Sequence, residues 1–152
     1  MTPITATTEL ARPPATVFAY VTDPARFVEW QRGVVSGHLE GDQPPSVGTR
    51  CQTVRRIGFA NRAVTSEITH LDPPRAWGVR GIDGPIRAIV DVTVNDLDDG
   101  RRSRVTIDLD FIGRGIGKLL IPLAVRRSAR REMPANLRVL KDRVEGSTIE
   151  ER

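Results

Sequence analysis

The stretch GRGIGKLLIPLAVRRSARREMPANLRVLKDRVE, residues 113–145, is the longest segment of the chain that can form a helix. Its apolar or small residues recur at steps of three, four or seven, which places them on one face of a helix with about 3.6 residues per turn. These residues are Leu119, Pro122, Ala129, Met133, Leu137, Leu140 and Val144. The opposite face carries Arg127, Arg131, Arg138 and Asp142. A helix with one apolar face must lie against another layer, and the chain before it predicts a sheet.

Glycines and prolines predict where this helix begins, bends and ends. Residues 113–115 contain two glycines and mark the turn into the helix, and Gly146 is the expected stop. Pro122 and Pro134 lack the backbone N–H that a helix interior needs. We therefore expect a bend at these prolines, sharpest at Pro134, or a division into two helical pieces.

Seven shorter segments have the composition and spacing of β-strands. They cover residues 5–11, 34–39, 49–57, 62–71, 76–82, 86–94 and 104–112. The clearest hairpin loop is DLDDGR at residues 96–101, and consecutive strands joined by hairpins form an antiparallel sheet. After the first strand, prolines start two short helices over residues 14–22 and 24–30, the second with Asp23 as its N-cap.

The last two strands indicate which face of the sheet is buried. In the final strand Val105, Ile107, Leu109 and Phe111 alternate with Thr106, Asp108 and Asp110. In the strand before it Ile86, Ala88, Val90, Val92 and Val94 form the apolar face, with Ile89 on the other side. Such alternation predicts one face toward the core and the other toward water.

Length and composition indicate one ordinary globular domain. The chain has 152 residues, of which 39% are hydrophobic and 28% charged, and we expect a domain over residues 1–146 with a flexible tail over 147–152. No apolar run approaches the roughly 18–20 residues of a membrane span, and the N-terminus lacks the pattern of a secretory signal. The single cysteine, Cys51, cannot form an internal disulfide. Together these features favour a cytoplasmic protein.

Positive charge is concentrated near the C-terminus. The formal net charge is +4, and residues 126–143 contain seven basic residues against two acidic ones. Such a run is typical either of a surface for nucleic acid or anionic membrane, or of the solvated face of a helix. No aromatic residue interleaves with these arginines, so we expect a solvated face and no nucleic-acid partner.

The order strand, two short helices, six strands and long helix is similar to that of the SRPBCC superfamily. That superfamily has the helix-grip fold of START domains and of the birch pollen allergen, and the chain resembles its bacterial polyketide cyclase/dehydrase and lipid-transport branch. The matching segments are PATVFAYVTDPARFVEW (14–30), VGTRC (47–51), HLDPPRAWGVRG (70–81) and residues 113–145. The resemblance implies an α+β fold in which a curved seven-stranded antiparallel sheet wraps around a long C-terminal helix. It also implies a small-molecule cavity between sheet and helix, closed at one end by the two short helices.

Candidate ligand contacts follow from this cavity. They are Trp30, Trp77, Val90, Val92, Leu109, Phe111, Leu119, Arg126 and Met133. Trp30 ends the second short helix, where the family has its cavity lid, and either tryptophan can stack on a planar ring. Arg126 falls on the apolar face of the long helix, where it needs a carboxylate partner or an anionic ligand group, unless its stem extends to water.

Residues for catalysis are only weakly indicated. Tyr20, Gln52, His70 and Arg80 are the candidates for proton transfer in a pocket. The sequence has no metal-ligand spacing, no nucleophile motif and no dinucleotide or phosphate-loop fingerprint, and GRGIGK at residues 113–118 lacks the spacing of a phosphate loop. We therefore expect no cofactor and no metal, and Cys51 as a small core residue.

Three functions stay open. The first is a module that binds a hydrophobic or aromatic small molecule, such as a lipid, a polyketide-like compound or an isoprenoid. The second is an enzyme of the cyclase or dehydrase type, and the third is an interaction protein that uses the basic face of the C-terminal helix. Fold alone does not distinguish these functions, and the sequence is compatible with a monomer or a homodimer. We favour binding, because no acid–base pair is evident.

Overall fold

Seven antiparallel strands form one sheet, in the order β1-β7-β6-β5-β4-β3-β2, in a computed structural model that describes residues 3–57 and 59–146. The strands are β1 (Ile4–Leu10), β2 (Val34–Leu39), β3 (Arg50–Ile57), β4 (Ala60–Asp72), β5 (Ala76–Gly81), β6 (Ile86–Leu97) and β7 (Arg102–Gly113). Strands β2 to β7 pair in sequence, and β1 pairs with β7. The predicted strands are all present, and the predicted ends lie within three residues of the observed ones.

The hairpin between β6 and β7 is tighter than the sequence predicts. Both strands extend into the DLDDGR segment, which leaves only residues 98–101 as a loop. Asp98, Asp99 and Gly100 all have left-handed backbone conformations, with φ of 51°, 57° and 84°. Aspartate and glycine tolerate this region better than most residues, so these three residues allow the short connection.

Two short helical segments link β1 to β2. Helix α1 covers Pro14–Val21, and a single 3₁₀ turn at Pro24–Arg26 leads into α2 at Phe27–Trp30. The Asp23 carboxylate accepts a hydrogen bond from the Ala25 backbone N–H at 3.0 Å, which confirms it as the N-cap. Gly37 of β2 lets the strand pass directly beneath this turn, because a Cβ there would collide with the Pro24 carbonyl.

The C-terminal helix is divided around Pro122, one of the two prolines at which the sequence predicts a bend, and not at Pro134. It consists of α3 (Gly117–Leu120), a π-helical segment (Ile121–Val125) and α4 (Arg126–Gly146). A division into two helical pieces at Pro134 is absent, since α4 runs through it. Pro134 is exposed, so water can satisfy the backbone carbonyl that its missing N–H leaves without a helical partner.

The curved sheet wraps the C-terminal helix in the helix-grip arrangement that the sequence predicts. The buried residues of α4 include the predicted apolar set Ala129, Met133, Leu137, Leu140 and Val144. The predicted polar face, at Arg127, Arg131, Arg138 and Asp142, is exposed. No helix among residues 3–57 and 59–146 is long and apolar enough to cross a membrane. The tail over residues 147–152 lies outside the described residues.

Candidate functional site

The concave face of the sheet divides into two halves along β6 and β7. We call Val92, Val94, Val105 and Ile107 the packed half, with exposed fractions of 2%, 2%, 0% and 8%. We call Ala88, Val90, Leu109 and Phe111 the open half, in which every residue is only partly buried. Both halves lie on the same face, since Val92 pairs with Ile107 and Val90 with Leu109 in one antiparallel register. The open half therefore presents apolar surface that the fold does not fully cover.

Two of the predicted ligand contacts, the aromatic residues Trp30 and Trp77, lie in the closed core. Phe27 makes edge-to-face contacts with both Trp30 and Trp77, at centroid distances of 6.1 and 6.3 Å. Met133 and Val92 are buried as well. Trp30 has one unusual feature, because its indole N–H is buried and has no hydrogen-bond partner among the described residues. A buried donor in this condition is costly unless something satisfies it.

Three further predicted contacts, Val90, Leu109 and Phe111, form most of the open half. The segment of the C-terminal helix that contacts this end of β7 consists of α3 and the π-helical segment. The predicted contact Leu119 belongs to α3, but its side chain lies outside the described residues. The structure thus brings Val90, Leu109 and Phe111 together on one surface, separate from Trp30, Trp77, Val92 and Met133 in the core.

Arg126 points into the protein and has a carboxylate partner. It is 5% exposed, and its Nη1 donates to Asp110 Oδ1 at 2.8 Å. Asp110 lies between Leu109 and Phe111 on β7, and its Oδ1 also accepts from the Phe111 backbone N–H. The alternation pattern places Asp110 on the water-facing side and so did not identify it as this partner. Arg126 therefore anchors the start of α4 to the end of β7 that carries the open half.

Arg55 is a second inward arginine, and sequence reasoning missed it. It follows Cys51 and Thr53 on the concave face of β3, both of which are buried. Its Nη2 donates to Gln31 Oε1 at 3.2 Å, and no carboxylate oxygen of the described residues lies within 4.0 Å of it. Burial lowers the pKa of Arg55, and the charge of Glu132 opposes this shift. The available signal was the strand alternation, because Arg55 lies four residues after Cys51 and two after Thr53, on the same face of β3.

The four catalytic candidates do not meet in one pocket. Tyr20 lies on α1, where its hydroxyl donates to Glu29 Oε1 at 3.1 Å, and burial and the Glu29 charge raise the pKa of Tyr20 to about 12. Gln52, His70 and Arg80 alternate with inward residues of β3, β4 and β5, and lie on the convex face. Gln52 Nε2 donates to Glu40 Oε1 at 2.6 Å, and His70 Nε2 lies 3.6 Å from Asp91 Oδ1. No acid–base constellation results from this set.

The surface cavities of the described residues include a groove and a smaller pocket. A groove of about 380 Å³ lies between residues 5–8 of β1 and Pro134, Leu137 and Arg138 of α4. A pocket of about 140 Å³ lies at the β5–β6 hairpin and is lined by Arg80, Gly81, Ile82, Arg87, Ile112 and Arg114. Neither is lined by a predicted ligand contact whose side chain is described. Residues 3–57 and 59–146 also hold no group of three side chains placed to bind a metal ion.

Cys51 is buried on the concave face of β3, and burial raises the pKa of its thiol to about 11. A thiol with this pKa is protonated at neutral pH and is a poor nucleophile.

Comparison with known structures finds proteins that share this fold. The chain superposes on the ZhuI aromatase/cyclase from Streptomyces sp. R1128 with a TM-score of 0.78 and 15% identity, covering 96% of this chain and 94% of that one. A START superfamily protein from Mycobacterium smegmatis gives a TM-score of 0.71 at 14% identity, with 96% and 99% coverage. A protein from Thermus thermophilus gives 0.75 at 17% identity, with the same coverage. Identities this low show a shared fold and nothing about ligands.

Sequence comparison gives the family. No curated protein matches the chain. The family model described as polyketide cyclase / dehydrase and lipid transport matches residues 1–145, which is nearly the whole described length. This match and the structural neighbours confirm the resemblance to the START and SRPBCC proteins. The chain therefore belongs to the polyketide cyclase / dehydrase and lipid transport family.

Proposed function

We propose that this protein binds a hydrophobic small molecule against the open half of the concave face, with an oxygen-bearing end of the ligand directed to Arg55. The observation that carries the proposal is the contrast in burial along β6 and β7. Val90, Leu109 and Phe111 are partly exposed although they share a face with fully buried neighbours. Apolar surface of this kind gains free energy when a ligand removes it from water.

The size of this gain is modest for each residue and useful in sum. Complete burial of one large apolar side chain is worth about 1.5–3 kcal/mol, and a side chain that is already half-buried has about half of that left to gain. Three such residues supply about 3 kcal/mol before the contribution of the rest of the ligand. A lipid, an isoprenoid or a polyketide-like aromatic compound has the apolar surface to use it.

Arg55 supplies the polar end of the proposed site. It lies on the concave face near the same end of the sheet as the open half, since β3 and β4 meet in a hairpin there. Its one described hydrogen-bond acceptor is a neutral amide, that of Gln31. The adjacent Trp30 offers a buried N–H that also needs an acceptor. A ligand carboxylate, phenolate or carbonyl oxygen would give Arg55 a stronger acceptor than the Gln31 amide.

The catalytic alternative has less support. An enzyme of the cyclase or dehydrase type needs groups that pass a proton to and from the substrate in one pocket. Gln52, His70 and Arg80 lie on the convex face, and the Tyr20 hydroxyl is engaged with Glu29. Binding is therefore the function that the described geometry favours.

Two fluorescent probes test the proposal directly. Anilinonaphthalene sulfonate and N-phenylnaphthylamine share an aromatic body, and only the first carries an anion. We expect both to bind with saturation and increased fluorescence. Arg55→Gln is expected to weaken the sulfonate about tenfold and to leave the neutral probe unchanged, because a charged hydrogen bond is lost. Equal weakening of both probes would contradict the role of Arg55.

A matched pair of variants tests the position of the site. Val90 and Ile89 are neighbours on β6, both partly buried, and they lie on opposite faces of the sheet. We expect Val90→Gln to weaken both probes at least tenfold and Ile89→Gln to leave them unchanged, with thermal unfolding as a check that both variants fold. If Ile89→Gln weakens binding as much as Val90→Gln, the ligand does not lie on the concave face.

Native mass spectrometry of freshly purified protein identifies a natural ligand. A bound mass that Val90→Gln loses and Ile89→Gln retains, followed by denaturing extraction, would name the ligand class. Thermal shift with the extracted compound then checks affinity, since a ligand that binds only the folded state raises its unfolding temperature.

A further inference from the structure

The pocket at the β5–β6 hairpin is lined by three arginines and no acidic residue. Arg80, Arg87 and Arg114 share its wall with Gly81, Ile82 and Ile112. It lies on the convex side, away from the open half, because Arg80 pairs with Ile89 and Arg87 pairs with Ile112 on the outer face of β6 and β7. The pocket therefore shares neither its lining residues nor its location with the hydrophobic site proposed above.

The charges of these arginines are not neutralised within the described chain. None of the three forms an ion pair with a carboxylate of residues 3–57 or 59–146 within 4.0 Å. Glu67 is opposite Arg80 in the strand register but makes no ion pair with it. The other nearby acids are engaged, since Asp83 accepts from the Thr65 backbone N–H and Asp110 holds Arg126.

The opposite end of the same convex face shows the contrast. There Arg102 and Arg104 both pair with Glu9, at 3.4 and 3.0 Å, and Arg102 also pairs with Asp98. The arginines at that end of the sheet are thus paired with carboxylates, whereas Arg80, Arg87 and Arg114 form no ion pair with the described residues. Three unmatched guanidinium groups around one concavity raise the local potential and favour an anion.

Backbone contacts tie together the β5–β6 hairpin and the loop after β7, which carry Arg87 and Arg114. Arg87 Nε donates to the Gly84 carbonyl at 3.2 Å, which fixes its guanidinium over the hairpin. The Arg114 backbone N–H donates to the Pro85 carbonyl at 2.8 Å, so the loop after β7 is tied to the same hairpin. Gly117 then packs against the Pro85 carbonyl so closely that a Cβ there would collide with it. The cations therefore belong to connected, hydrogen-bonded elements.

The volume limits the ligand to a small group. A cavity of about 140 Å³ has room for about four or five water molecules at about 30 Å³ each. This is below the roughly 300 Å³ at which drug-sized ligands begin. Guanidinium groups match tetrahedral oxyanions in geometry and bind them through paired hydrogen bonds. We infer that Arg80, Arg87 and Arg114 form a binding site for a phosphate group, carried either by a soluble phosphomonoester or by a lipid headgroup.

The first experiment is a titration of ¹⁵N-labelled protein with inorganic phosphate, against sodium chloride at equal ionic strength. We expect saturable shifts at the backbone amides of Gly81, Ile82 and Arg114, with a dissociation constant of about 1 mM or below. Arg80→Gln with Arg114→Gln is expected to weaken binding at least tenfold. The matched control is Arg127→Gln with Arg131→Gln, which removes the same charge from the exposed face of α4 and should leave binding unchanged.

Two results would overturn the inference. One is the lack of saturation in wild-type protein, and the other is an equal loss in the two double variants, which would mean that net charge alone attracts the anion. Two further experiments distinguish the sources of the phosphate group. One is a titration with glycerol phosphate, and the other measures retention on vesicles of phosphatidylcholine with or without phosphatidic acid. Retention on phosphatidic acid vesicles that depends on Arg80 and Arg114 assigns a lipid headgroup. Saturation by glycerol phosphate without such retention assigns a soluble phosphomonoester.

Discussion

The packed half and the open half of the concave face have similar residues and different surroundings. Both consist of apolar side chains in strict alternation along β6 and β7. Helix α1 starts beyond Leu10, which pairs with Ser103, and so contacts β6 and β7 at the end that carries Val94 and Val105. The other end meets α3 and the π-helical segment. The comparison teaches that alternation identifies a buried face, whereas the helices decide how deeply each part of it is buried.

The largest effect we expect is the loss of stability when a charged residue is introduced into the packed half, compared with the open half. Val105→Asp places an ion where the side chain is fully buried, and we expect it to cost more than about 4 kcal/mol and to unfold the domain. Leu109→Asp, on the same strand and face, should cost about half as much because its carboxylate can reach water. Urea unfolding followed by circular dichroism measures both. Equal losses would show that the open half is as closed as the packed half.

A second test concerns the charge already present beside the open half. Asp110→Ala removes the carboxylate at 2.8 Å from Arg126, and we expect the free energy of unfolding to fall by about 2–3 kcal/mol, since a buried cation loses a charged hydrogen bond. Adding Arg126→Met to Asp110→Ala should restore part of the lost stability. A double-mutant cycle measures the interaction energy of the pair. If Asp110→Ala and the double variant are equally unstable, the pair acts by shape and not by charge.

The third prediction uses two protons held in buried parts of the protein. The folded pKa of Cys51 is raised to about 11 and that of Tyr20 to about 12, both by burial, from ordinary values of about 9 and 10. A group whose pKa is higher in the folded state stabilises the fold fully when the pH is below its pKa in the unfolded state. This stabilisation is lost as the pH rises through its pKa in the folded state. The free energy of unfolding should therefore fall between about pH 9 and 12.

Each pKa is raised by about 2, so at about 1.4 kcal/mol for each pKa unit each group contributes at most about 3 kcal/mol to that fall. Tyr20→Phe should remove the part above about pH 10, and Cys51→Ala the part that begins near about pH 9. Chemical denaturation at a series of pH values measures the curve. A curve that is flat to about pH 12 in the wild-type protein would mean that neither group is closed to water.

The smallest effect is expected on the convex face. Asp108 alternates with Ile107 and Leu109, and its Oδ1 accepts from Thr5 Oγ1 at 2.6 Å. Asp108→Val should change stability by no more than about 1 kcal/mol, the usual size for one exposed hydrogen bond. Thermal unfolding is sufficient to measure it. A loss comparable to that of Leu109→Asp would mean that the two faces of β7 are assigned the wrong way round.

Local patterns predicted most of the fold. The strands, the two short helices and the N-cap at Asp23 depend on neighbouring residues, and the structure contains them. The apolar face of α4 also followed from spacing. Of the two prolines expected to disturb the C-terminal helix, Pro122 lies in the π-helical segment and Pro134 lies within α4. The cost of a proline in a helix depends on whether water reaches the carbonyl left without a partner, and sequence spacing does not report this.

The candidate site could be predicted only in part. Val90, Leu109 and Phe111 were identified as a group by alternation, but Trp77 and Met133 were grouped with them although they lie in the closed core. Arg55 was missed because a charged residue in a strand is usually on the water side. Its recognition requires knowing that Gln31 from a different element lies opposite. Such contacts depend on tertiary packing and not on local periodicity.

The π-helical segment gives the C-terminal helix a particular tolerance to changes in length. A π-helical turn holds one residue more than an α-helical turn, so one deletion within residues 121–125 can restore regular α-helix without rotating α4 relative to α3. An insertion of one residue there cannot be absorbed by a return to regular α-helix. It would turn α4 by about 100° and move Arg126 away from Asp110. Evolutionary length variation at this point should therefore consist of single-residue deletions, while insertions accumulate elsewhere in the chain.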